Sequence, residues 1–143
     1  MKKWALAAVA VVALCVVGFL AVRMFTPPPE ELDLSRSKPS DNGIYRVEIA
    51  PEEEPVRQGP LHAWIVTLAT AGGEAVADAA LAIDGGMPQH GHGLPTAPQA
   101  TGHLGEGRYR IEGVRFNMGG WWVLEIGIDS PAGSDAVTFN IML

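Results

Sequence analysis

The chain has one cysteine, Cys15, and it lies inside an apolar run. The rest of the chain can therefore form no internal disulfide and offers no thiolate to bind metal or attack a substrate. Lysine is absent after Lys38, and residues 43–143 carry five arginines against twelve acidic side chains, a formal charge of −7. That balance argues against nucleic acid or anionic lipid as the main ligand, because both require positive potential. No serine stands in a nucleophile elbow, and no glycine-rich phosphate loop joins a strand to a helix. Asp84 could orient a histidine, but a His-Asp pair without a nucleophile is no hydrolase. It reads instead as a strand-end residue capping a Gly85-Gly86 turn. The chain is accordingly expected not to be an enzyme.

What is present begins at the N-terminus. Lys2 and Lys3 precede nineteen uncharged residues, 4–22, and Arg23 ends the run. At roughly 1.5 Å of rise per residue such a helix spans about 28 Å, close to the hydrocarbon thickness of a bilayer. The exit, residues 19–24, lacks a small-x-small cleavage triplet, which favours an uncleaved anchor over a signal peptide. Leu14 before Cys15, and apolar sequence beyond it, disfavour a lipidated cysteine. Two lysines and the free amine outweigh Arg23, so the remainder is expected outside, although Arg36 and Lys38 reduce the bias. The expected location is the cytoplasmic membrane, single-pass through residues 4–22, with the C-terminal domain on the periplasmic or extracellular side.

Three regions follow: an anchor over residues 1–23, a tether over 24–42, and a domain over 43–143. Pro27, Pro28 and Pro29 favour an extended spacer, and the acidic and serine-rich stretch after them has little to bury. In the domain the period is that of strands. Tyr45, Val47 and Ile49 alternate, as do Trp64, Val66 and Leu68 within residues 61–70. A third strand is expected over residues 75–83, with Ala77, Ala79, Leu81 and Ile83 on one face. Later strands fit residues 108–114, 121–128 and 136–143. Short strands with glycine and proline turns, and no amphipathic helix of useful length, predict an all-β sandwich of two antiparallel sheets, with a flattened barrel as the alternative. Alternation sends Trp121 and Trp122 to opposite faces, with Trp64 and Trp122 inside.

The irregular stretch is the long loop expected over residues 85–102, with His103 just beyond. Three of the domain's four histidines fall within residues 85–103. Locally extended backbone would point His90 and His92 to the same side, with Cα atoms about 7 Å apart. Gly91 and Gly93 relax the backbone there, and Pro88 fixes a torsion beside Met87. Thioether sulfur favours Cu(I), and imidazole binds Cu(I), Cu(II) and zinc. Calcium and magnesium would ask for oxygen ligands. Met118, in the 116–120 turn, adds a second sulfur if the two loops share an end of the sandwich. His103 or His62 could add nitrogen. Against this metal reading stands a plainer one, in which the histidines are hydrogen-bonding struts and the methionines are core or cap residues.

The segment 86–98, with its Met87-Pro88-x-His90-x-His92-Gly93-x-Pro95-Thr96 core, is followed by a spaced pattern of Gly107, Tyr109, Ile111, Gly113, Phe116, Met118, Gly120 and Trp122. Together these resemble the YtkA-like domain, a small extracytoplasmic immunoglobulin-like β module, over nearly all of residues 43–143. The FixH-like membrane family shares an anchor and an outward β domain, but the glycine-histidine core is closer to the YtkA-like pattern. The resemblance implies membrane-tethered or secreted proteins, some associated with copper handling. Two functions are therefore expected to compete. One is a copper-binding accessory or carrier, using His90, His92 and Met87, with Met118 and His103 as further candidates, that meets an extracytoplasmic cuproprotein. The other is a metal-free structural or interaction module of a membrane complex.

Overall fold

The computed structural model describes residues 28–143, so the expected membrane helix lies outside the described residues. Among the described residues no α-helix occurs, and nine strands form two antiparallel sheets packed face to face. The first sheet runs β1 (Ser37–Pro39), β2 (Tyr45–Pro51), β3 (Leu61–Thr70), β7 (Arg108–Arg115), β6 (Gln99–Gly105). The second runs β5 (His92–Gly93), β4 (Ala80–Met87), β8 (Trp121–Ser130), β9 (Gly133–Met142).

Period-two alternation builds the core between them. Tyr45, Val47 and Ile49 of β2 and Trp64, Val66 and Leu68 of β3 face Trp122, Leu124, Ile126 and Ile128 of β8 and Val137, Phe139 and Ile141 of β9. Each large apolar side chain removed from water contributes about 1.5–3 kcal/mol. Trp64 and Trp122 are inside, as the alternation predicts. Trp121 lies half-buried on the outer face of the second sheet, where its Nε1 donates to Asn140 Oδ1 at 2.9 Å.

Four expectations need correction. The third strand begins at Ala80 rather than residue 75, and it runs through Gly85 and Gly86 to Met87. Asp84 does accept from Gly85 N at 2.7 Å, yet Gly85-Gly86 is strand and not turn. The long loop dissolves into the end of β4, the short β5 and the edge strand β6. The tether gives way before residue 42, since β1 pairs with β2 and Ser40 is buried.

Pairing across β3 and β7 carries one irregularity that matters for the site. Trp64 pairs Ile111 whereas His62 pairs Val114, so β7 has one extra residue there. Gly113 takes up the bulge at φ +87°, a left-handed conformation that costs a residue with a Cβ free energy. The extra residue flips the alternation, which is why Ile111, Val114 and Phe116 are all buried.

The two ends of the sandwich differ. At one end Phe116 packs on Trp122 with ring centroids 5.4 Å apart, and Gly120 and Leu143 exchange backbone hydrogen bonds. At the other, the Tyr45 hydroxyl donates to the Gly133 carbonyl and contacts Ser130 Oγ at 2.7 Å. There Asp135 accepts from Ser40 Oγ at 2.6 Å, from Asn42 through both its backbone N–H and Nδ2, and from Ile44 N, fastening the turn before β2 to β9.

Candidate metal centre

The β4–β5 hairpin presents His90 and His92. The Met87 carbonyl accepts from His90 N at 3.1 Å and Gly91 N at 2.9 Å, closing a tight turn in which Gly91 has φ +66°. Gly86 then pairs Gly93 and Met87 pairs His92. Directly opposed residues on antiparallel strands share a face, with Cβ atoms about 4.5–5.5 Å apart. Met87 and His92 are thus brought side by side, which their spacing in the chain does not reveal.

Met87 is 1% exposed, and a Cβ built on Gly120 would sit 3.3 Å from its Cε. The His92 ring lies against Trp122 at 5.7 Å in an edge-to-face contact. Its Nδ1 donates to the Gly93 carbonyl at 3.0 Å, which leaves Nε2 as the nitrogen open to a metal. Outer hydrogen bonds of this kind fix the tautomer of metal-ligating histidines. The His90 and His92 rings stack with centroids 5.9 Å apart and 22° between their planes. Two imidazoles sharing one ion, with bonds near 2.0 Å, have centroids about that far apart. Both rings are exposed to solvent.

The other candidates separate. Met118 lies at the same end, 38% exposed, where its carbonyl accepts from Trp122 Nε1 at 3.0 Å. His103 does not join the hairpin. It sits on β6 opposite Tyr109, with ring centroids 4.9 Å apart, beside Ala79, Ala80 and Leu81. Ala80 and Leu81 open β4, and Met87 closes it about 20 Å away at the usual rise per strand residue. His62 Nε2 lies 3.3 Å from Arg57 N and 2.8 Å from Arg57 O, so its ring is committed to the backbone. No group of three or more histidine, cysteine or carboxylate side chains converges among the described residues. The candidate donors on the hairpin are two imidazoles and a thioether, a set suited to Cu(I).

Two features of the site escape a reading of residue spacing. Trp122 forms the floor under His92, and Asp84 opposes Glu125 across the outer groove beside the hairpin. The first was legible only as a core tryptophan. The second follows from register alone, and its paired negative charge raises the local concentration of cations.

A two-sheet sandwich that carries its irregular chemistry on one end hairpin defines a small all-β domain whose candidate site shares Met87 and Trp122 with the core. The YtkA-like family model matches residues 40–127, more than half of the sequence, and the chain belongs to that family. The match contains the hairpin and Met118, and it stops before β9, which closes the core. No curated protein and no solved structure matches the chain.

Proposed function

We propose that this protein is a membrane-tethered extracytoplasmic accessory or carrier that binds Cu(I) at the β4–β5 hairpin. The observation that carries the reading is the cross-strand pairing of Met87 with His92, whose Nδ1 is already engaged by Gly93. His92 and Met87 form the inner half of the site, against Trp122. His90, on the turn, forms the outer half and is the ligand a partner cuproprotein displaces first. Met118 is a second sulfur at the same end. The apolar run over residues 4–22 is the membrane anchor, and the immunoglobulin-like sandwich faces the periplasm or exterior. Binding and transfer, not catalysis, are the role.

Purified domain titrated with Cu(I) against a calibrated competitor tests this. Replacing both imidazoles (His90→Ala with His92→Ala) is expected to lower affinity by more than the roughly 10–100-fold typical of losing an outer-shell partner. Met87→Leu, nearly equal in volume, is expected to weaken binding while leaving the metal-free melt nearly intact. X-ray absorption of the loaded wild type should show sulfur scattering that Met87→Leu removes. Indistinguishable affinity across these folded variants would leave the metal-free interaction module as the better reading.

A further inference from the structure

We propose that the histidine end of the sandwich is its membrane-facing end, resting through an apolar rim on the zwitterionic headgroup layer of the bilayer that holds the anchor. The inference builds on the anchor reading above and is independent of copper. Register decides where the chain enters the domain. Ser37 pairs Glu48 and Pro39 pairs Arg46, so the chain traced back from β1 runs toward the Pro51 end of β2. The Arg36 carbonyl accepts from Ile49 N at 2.8 Å, and the Asp33 carbonyl accepts from Asn140 Nδ2 at 2.9 Å. Asn140 belongs to the same cross-strand row as Val123 and Gly86, one residue from Met87. The polypeptide therefore enters at the level of the hairpin.

The exposed apolar side chains agree with that placement. Leu34, Leu61, Met118 and Met142 are exposed at this end, whereas Leu104 is exposed at the other. Clustered exposed hydrophobics mark contact surfaces. Length adds a constraint, because residues 24–33 reach at most about 35 Å when fully extended. A ten-residue strand of this sandwich is itself about 33 Å long. Turning the opposite end to the membrane would therefore need a taut tether laid along the whole domain.

Charge selects the kind of surface. Glu52 and Glu54 near the rim are held in ion pairs by Arg110 and Arg36, and the further negative charge of Glu30, Glu31 and Glu53 is largely offset by exposed Arg57 and Arg115 beside His62 and Leu61. Such a rim presents no cluster of unpaired positive charge to attract anionic headgroups, so contact is apolar and does not strengthen as anionic lipid is added. A metal on the hairpin would then be exchanged at the membrane surface.

The full chain with Cys15→Ala, labelled with a fluorophore at Leu61→Cys, Met142→Cys or Leu104→Cys, can be reconstituted metal-free in phosphatidylcholine vesicles containing a nitroxide-headgroup lipid. Quenching is expected to be severalfold stronger at positions 61 and 142 than at 104, and not to rise when phosphatidylglycerol is included. Equal quenching at all three positions, or the strongest at 104, overturns the orientation. Co-flotation with vesicles but no quenching anywhere also overturns it and points to a membrane-embedded protein as the partner of the rim. Failure to co-float overturns the anchor reading and the orientation with it.

Discussion

Asp135 illustrates how one side chain can organise an end of the sandwich. Burial by itself would raise its pKa, but bonds from Ser40 Oγ and from the backbone N–H groups of Ala136, Asn42 and Ile44 outweigh that and hold the carboxyl well below the usual range. A folded-state pKa below the unfolded one makes the group's stabilisation complete above the ordinary aspartate value of about 3.9. It is lost progressively as pH falls below that value toward the folded-state pKa. Asp135→Asn is therefore expected to melt lower than wild type at neutral pH. Its stability should also fall less steeply between roughly pH 5 and 3. Denaturation series at several pH values measure both effects, and parallel curves for the two proteins would show that the carboxylate's charge is immaterial. At the other end, Met87 is at once a core residue and a candidate ligand. That double role explains why a volume-conserving leucine, and not alanine, is the informative replacement.

The β4–β5 hairpin is the element on which the site depends, and its strands approach too closely for side chains. A methyl group added at Gly86 would run into the His92 carbonyl and lie 2.9 Å from Gly93 Cα. Gly86→Ala is therefore expected to lift β5 away from β4, carrying His92 off Trp122. Cu(I) affinity should drop while the two-sheet core, of whose buried side chains only Met87 belongs to the hairpin, still melts cooperatively. Amide exchange at His92 and Gly93, together with a competitor titration, would report this. Unchanged affinity with faster exchange would mean that the hairpin geometry does not set the site. The Gly113 bulge has a parallel role at longer range. It turns Phe116 inward, where its ring meets both Trp122 and His62.

For the molecule as a whole, the basic N-terminus and the single arginine after the apolar run predict an outward domain. Protease added to intact spheroplasts should remove the sandwich while sparing an N-terminal cytoplasmic tag. Digestion only after rupture of the inner membrane would reverse that orientation. By itself the sequence determined the all-β class, most of the core and the two inward tryptophans, because side chains of one strand alternate with a local period of two. It also brought out His90, His92 and Met87 as candidates, because imidazoles two residues apart near a thioether are unusual in any conformation. Only the tertiary structure decided that Met87 opposes His92, that His103 stands at the far end, and that residues 37–39 belong to the sheet. Those outcomes depend on which strands pair and in which register. Register is set by backbone bonds and packing between segments far apart in the chain, where shifting one residue exchanges the two faces of a strand.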